Sequence, residues 1–273
     1  MNFWGEILKW LSFRIEPPKV FGFFHIFSLL LTVFLSALLL RVLPKPSEST
    51  VRKLLIIASA VILALEIYKQ IVFSFQYLNG EIVFEYPWYI FPFQFCSTPL
   101  YVGFLCGFIR NKKIHKSLCA FIASYSFLAG VGVMLYPEGS FCSVLGVNVQ
   151  TMVWHGSMVV LGAYLLFSGY VEVRGKTLFR AFPVFISAVA VAIFLNEFAF
   201  RCGLSENHDF NMFFISPYCE PSLPVFSLIQ RAVPTYLSII IYVLGFLVGA
   251  YLLLLLVGAV KNRSFKRMLV KKP

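Results

Sequence analysis

Apolar side chains run through this chain in blocks of twenty or more residues, separated by short polar stretches. Blocks of that length match the hydrocarbon core of a bilayer, which a helix of about 20 residues crosses. Seven spans are predicted, at residues 21–43, 54–77, 88–109, 117–136, 151–171, 178–200 and 235–260. The expected fold is all-α, a polytopic membrane bundle of seven transmembrane helices forming one domain over 21–260. Ahead of it, residues 1–20 mix Phe3, Trp4, Ile7, Trp10, Leu11 and Ile15 with Glu6, Lys9 and Arg14, then stop at Pro17 and Pro18. That pattern predicts an amphipathic helix lying in the membrane interface, rather than a cleavable signal.

Composition narrows the class. Hydrophobic residues make up 59% of the 273 positions and charged ones 13%, against roughly 25% charged in soluble domains. The net charge of +11 matters through its placement. Arg41, Lys45, Arg52 and Lys53 follow the first span, and Arg110, Lys112, Lys113 and Lys116 follow the third. Arg174, Lys176 and Arg180 follow the fifth, and residues 261–273 form a basic tail. The connections at 78–87 and 137–150 hold no Lys or Arg. Basic residues are retained in the cytoplasm, so a multi-pass protein of the cell membrane is expected, with its N-terminus outside and its C-terminus inside. Lys9, Arg14 and Lys19 run against that bias. Beside a membrane helix, the basic tail reads as a topology signal or an anionic-lipid contact, and no nucleic acid is expected as a partner.

One span departs from the apolar pattern. FPFQFCSTPLY, at 91–101, sets Gln94, Cys96, Ser97 and Thr98 between Pro92 and Pro99. Freed backbone groups at membrane depth must be satisfied again by neighbours, so this segment needs a reason. Counting at 1.5 Å per residue places Cys96 roughly 12 Å below the outer boundary and His155 roughly 8 Å below it. Lys69 lies at roughly 12 Å with Glu66 one turn deeper. Asn196 and Glu197 come near the outer end of the sixth span, and His25 near that of the first. The inner half of the bundle is expected to be almost entirely apolar. Ionisable groups inside spans usually face a bundle interior or a wet cavity. Structural roles compete for each: Glu66–Lys69 and Glu197–Arg201 as ion pairs, His25 as a packing hydrogen-bonder, and His155-Gly156 as an interhelical contact. Convergence at one depth favours a site.

Residues 201–234 carry Pro217, Pro221, Pro224 and Pro234 and predict a long irregular outer loop, a lid over that site. Asn79-Gly80 between apolar runs predicts a tight turn. Cys142, Cys202 and Cys219 fall on the outer side, where pairing is open among them. Cys106 and Cys119 read as packing residues. With no CxxC or clustered His/Cys spacing, neither a metal nor a cofactor is expected.

A cysteine and a histidine on different helices at matched depth supply a thiolate nucleophile and its general base, the elements of acyl transfer through a thioester. Gln94, Ser97 or Asn196 would supply an oxyanion donor. FPFQFCSTPLY, the His-Gly of TMVWHG and DFNMFFISPYCEPSLPVFSLIQRAVPTY occur in the same order as the landmarks of the YwaF-like integral membrane family, the transmembrane protein 164 family, which this chain resembles. In the last segment Asn211, Pro221, Ser222, Leu223, Pro234 and Tyr236 carry the match. The resemblance implies acyl transfer on membrane phospholipids, with Cys96 as nucleophile and His155 as base. It also implies a distant similarity to the androgen-induced intramembrane lipid hydrolases, which use a threonine and a histidine. The partner expected is therefore a membrane lipid, a phospholipid or fatty-acyl substrate, handled by an acyltransferase or acyl hydrolase. Two other classes compete: a non-enzymatic seven-helix ligand-binding, receptor-like protein, and a transporter. The apolar inner half disfavours the transporter.

Overall fold

The computed structural model describes residues 3–137, 139–204, 209–220, 223 and 226–270. Six helical stretches are long and apolar enough to cross a membrane. They are α2 (Phe23–Val42), α3 (Glu48–Ser74), the run Lys112–Leu135, α7 (Leu145–Phe167), α8 (Gly175–Arg201) and α10 (Thr235–Val270). Within Lys112–Leu135, α5 (Lys112–Phe121) passes through a π-helical turn at Ile122–Ser126 into α6 (Phe127–Leu135). The remaining helices are the short α1 (Phe3–Leu11), α4 (Thr98–Phe108) and α9 (Phe226–Ala232). The protein is an all-α polytopic membrane bundle, with a single two-stranded hairpin among the described residues.

Local sequence explains the starts of the inner helices. Ser47 Oγ accepts the Thr50 N–H to begin α3, and Asn111 Oδ1 accepts the N–H groups of Lys113 and Ile114 to begin α5. Such side chains satisfy donors that the first helical turn leaves unpaired. Arg52 closes the end of α4: its guanidinium donates to the carbonyls of Cys106, Gly107 and Ile109 at 2.9, 3.2 and 2.6 Å. A cation there complements the negative end of the helix.

α7 sits at the centre, packed on α2, α3 and α6. α3 and α4 approach closely because Gly103 and Gly107 are one turn apart on the contact. A Cβ on Gly103 would lie 2.1 Å from Ser59 Oγ, and one on Gly107 2.2 Å from the Ile56 side chain. Small residues at such crossings let membrane helices meet at backbone distance. The core is aromatic, with the Phe95 ring 4.6–6.1 Å from those of Phe121, Phe185, Phe213 and Phe246. Outward faces are apolar too: Phe23, Phe34, Phe179, Phe194, Val248 and Leu256 are exposed, as lipid-facing side chains should be.

Three departures from the predicted elements matter. Predicted span 88–109 is not a through-going helix. Residues 88–90 make a 3-10 turn, 91–94 are irregular, and only Phe95–Phe108 is helical. Pro92 and Pro99 forbid the backbone bonds that a continuous helix would need. The end of predicted span 54–77 leaves the helix at Phe75 to form β1 (Phe75–Leu78), paired with β2 (Glu81–Phe84). The turn between them is Asn79-Gly80 with both φ angles positive, 51° and 91°, the geometry that two-residue hairpin loops favour. Finally, α7 starts six residues before the predicted 151, which extends the helix that carries His155.

The end of the bundle without basic connections is layered over. α1 lies on the hairpin, with Gly5 so close beneath Tyr77 that a Cβ would sit 2.6 Å from the ring. Backbone bonds from Ile15 N–H to Ser143 O (2.8 Å) and from Leu145 N–H to Phe13 O (3.0 Å) tie the following segment to the 137–144 connection. Trp4 and Trp10 stay exposed on α1. Of the predicted lid, Pro221, Ser222 and Pro224 lie outside the described residues. The described part turns inward: Phe210, Asn211, Met212, Phe213 and Ile215 are all buried.

Candidate active site at the broken helix

Because the chain is broken before α4, a helix begins inside the protein instead of at its surface, and Cys96 sits in its first turn. The first N–H groups of a helix have no intrahelical acceptor and form its positive end. Neighbours hold this unsupported stretch. Trp154 Nε1–H on α7 donates to the Cys96 carbonyl at 2.5 Å. Tyr101 Oη donates to Pro92 O, and Thr98 Oγ1 to Phe95 O at 2.7 Å. The Phe95 ring, driven into the aromatic core, turns the adjacent Cys96 the other way.

Cys96 turns toward a cavity of about 380 Å³. Its walls come from four places. α3 gives Glu66, Lys69 and Phe73, and the broken segment gives Tyr89, Ile90, Gln94, Cys96 and Ser97. The 137–144 connection gives Gly139–Cys142, and α7 gives Val147, Gln150, Thr151, Trp154 and His155. Cys96 and His155 thus line one cavity. No hydrogen bond joins them among the described residues. His155 Nδ1 lies 2.8 Å from the Thr151 carbonyl of its own helix. A carbonyl can only accept, so Nδ1 carries the proton and Nε2 is left as the basic nitrogen.

Glu66 and Lys69 form an ion pair of 2.7 Å. Glu66 Oε1 also accepts from Gln70 Nε2 (2.7 Å), which in turn reaches Ile90 O at 3.0 Å and so braces the broken segment. The other carboxylate oxygen, Oε2, is buried with no hydrogen-bond partner among the described residues.

A further cavity of about 350 Å³ lies on another face of α7, between α2 and α3. Phe24, Leu31, Leu35, Met152, Val153 and Leu161 are among its walls, which are almost wholly apolar.

Among known proteins, the transmembrane protein 164 family model matches residues 20–256. The chain belongs to that family. No curated protein and no solved structure matches it. The family match covers α2 through most of α10, and with it every wall of the Cys96 cavity.

The other polar residues singled out from sequence are placed differently. Gln94 reaches the cavity wall, but its amide is engaged: Nε2 donates to Asn211 O at 2.8 Å and Oε1 accepts the Phe213 N–H at 3.0 Å. Asn196 lies outside the cavity and brackets Met212, donating to its carbonyl (3.0 Å) and accepting its N–H (2.7 Å). Asn211 Oδ1 accepts the Ser216 N–H at 2.9 Å. These three residues clamp the inward-turned 209–216 segment; Asn196 is not among the residues lining the cavity, whereas Gln94 keeps a second amide N–H on the cavity wall. His25 is spent on packing: Nδ1 accepts the Phe21 N–H and Nε2–H donates to Met134 O at 2.8 Å. Glu197 pairs with Arg201 at 2.5 Å and accepts from Tyr218 Oη. That carboxylate pushes the Tyr218 phenol upward. Ser97 remains on the cavity wall beside Cys96.

All six cysteines are free. Cys142, weighed from sequence only for a disulfide, lines the Cys96 cavity, and so do Trp154 and Thr151. Their common signal is the stretch from 139 to 155, which is polar for membrane depth. Cys106 and Cys119 are buried in the core, and the fold brings both to His115.

Proposed function

We propose that this protein transfers acyl groups on membrane lipids, with Cys96 as nucleophile and His155 as general base. One observation carries the reading: residues 59 apart in sequence, on different elements, line a single polar cavity in a membrane bundle. Its volume falls in the range of about 300–1,000 Å³ usual for ligand sites. The resemblance of the Cys96 and His155 segments to a family associated with phospholipid acyl transfer supports the same assignment.

The chemistry follows from the groups present. His155 Nε2 takes the thiol proton as Cys96 Sγ attacks the carbonyl carbon of a lipid ester. A C–S bond forms and the ester C–O bond breaks, giving a thioester and an alcohol that leaves with the proton returned by His155. An acceptor alcohol, or water, then gives its proton to His155 and attacks the thioester, restoring the thiol. The Ser97 and Thr98 N–H groups are taken by the Gln94 and Phe95 carbonyls and Pro99 has none, so the Cys96 N–H at the start of the turn is the backbone donor offered to the developing oxyanion. Lys69 offers a cation to a lipid phosphate, and the apolar cavity between α2, α3 and α7 suits an acyl chain. The basic connections support an orientation that opens the Cys96 cavity to the outer leaflet.

The test is acyl turnover of phospholipid in proteoliposomes. Wild type should release or transfer a labelled acyl chain, while Cys96→Ala and His155→Gln should each fall by at least about 100-fold. That expectation rests on general-base assistance alone contributing about 10²–10⁴. Turnover retained by folded Cys96→Ala would reject the covalent route.

A further inference from the structure

A second cluster of reactive side chains lies at the opposite end of α4, roughly 15 Å from Cys96 by helix rise. Cys106 stands near the end of that helix. The turn at 109–111 returns α5 beside it, so that His115 and Cys119, four apart on one face, meet it. Cys106 Sγ lies 3.2 Å from Cys119 Sγ and 3.3 Å from His115 Nδ1, and Cys119 Sγ lies 3.6 Å from His115 Nε2. All three residues are buried, with their donor atoms within 4.8 Å of one another. The acyl chemistry at Cys96 uses none of them.

We propose that Cys106, His115 and Cys119 bind one zinc ion. Two sulfurs and an imidazole nitrogen are the donor types zinc takes, at about 2.3 Å for sulfur and about 2.0–2.1 Å for nitrogen. A tetrahedron of those bond lengths sets S–S edges of about 3.8 Å and S–N edges of about 3.6 Å. With the metal on Nδ1, the sulfurs, now 3.2 Å apart, must part by about half an ångström, the Cys106 Sγ–Nδ1 contact of 3.3 Å must open by about 0.3 Å, and the Cys119 thiol must turn from Nε2 toward the metal. Two thiols lose their protons to solvent and their charges balance the dication. The fourth position falls to a solvent ligand.

The surroundings suit the exchange. With zinc on Nδ1, the other ring nitrogen carries the proton and donates to Tyr170 Oη, 2.7 Å away. That is how metal-bound histidines are generally oriented. The Cys106 carbonyl, 3.0 Å from Nδ1, keeps a donor in Arg52 at 2.9 Å when the ring nitrogen turns to the metal. A Cys106–Cys119 disulfide is the rival chemistry. It needs an oxidant, and the basic connections at this end argue for a reducing cytosol.

The experiment is cobalt titration of the reduced, full-length protein in detergent, read by thiolate-to-cobalt charge-transfer absorption. Wild type and Cys202→Ser should saturate at one equivalent and lose the band when zinc is added. His115→Gln and Cys119→Ser should weaken binding more than 100-fold, and Tyr170→Phe by about 10–100-fold, as for a lost second partner of a ligand. Zinc should raise the melting temperature of wild type but not of the near-isosteric C106S/C119S chain, which separates metal loss from misfolding. Absence of the band in folded wild type, or its persistence in both His115→Gln and Cys119→Ser, would overturn the proposal. So would a Cys106–Cys119 disulfide in the isolated protein with no metal uptake after reduction.

Discussion

Replacing Asn196 by Ala tests whether the inward-turned 209–216 segment is held by side-chain amides. Asn196 pairs with both backbone groups of Met212, at 2.7 and 3.0 Å, and Met212 is fully buried. Truncation strands one donor and one acceptor of a buried residue. Each stranded group costs about 1–3 kcal/mol. Side-chain bonds in membrane bundles average nearer about 0.6 kcal/mol, because alternative partners exist. The irregular segment has fewer alternatives, so the expected loss is about 2–4 kcal/mol. Gln94→Ala should cost a similar amount, since it strands Asn211 O and Phe213 N–H. The two amides hold one segment, so the double variant should lose less than the sum. Equilibrium unfolding in mixed micelles reads all three, and limited proteolysis between 209 and 216 reports the release directly. A loss below about 0.5 kcal/mol for Asn196→Ala, or additive losses in the double variant, would refute the clamp.

Other consequences follow from the same contacts. Trp154→Phe keeps a ring but removes the donor to the Cys96 carbonyl; the protein should stay folded while acyl turnover falls at least 10-fold, as expected when a reacting group drifts. Gly103→Leu should destabilise by at least about 1–3 kcal/mol, because α4 must leave α3, and thermal unfolding in detergent would show it. Glu66→Gln removes the partner of Lys69 and should cost more stability than Glu66→Gln with Lys69→Met, since a lone buried charge is worse than none.

What sequence alone could read differs from residue to residue for physical reasons. Asn79-Gly80 was legible as a turn because two positive φ angles are a local demand met by few residue types. The depth counted for Cys96 assumes a helix from residue 88, which the prolines break at 91–94, so it is the fold and not the count that sets Cys96 and His155 on one cavity. Rotation about each helix axis is not countable, which is why His25 faces Met134 and Asn196 faces Met212 instead of the cavity. Gln94 contacts residues 117 and 119 positions away, and no local pattern announces such a pairing. The Cys106, His115 and Cys119 cluster has no paired thiols at short spacing to announce it. Its own signal was an i, i+4 His/Cys pair completed by a cysteine across a helical turn.

The most direct measurement is an intact-mass and peptide-mapping search for an acyl group on Cys96. Wild type incubated with a labelled phospholipid and quenched in acid should carry a hydroxylamine-sensitive acyl group on the peptide holding Cys96, and His155→Gln should carry far less. An unmodified Cys96 during active turnover, or an acyl group on another residue that persists in Cys96→Ala, would contradict the account.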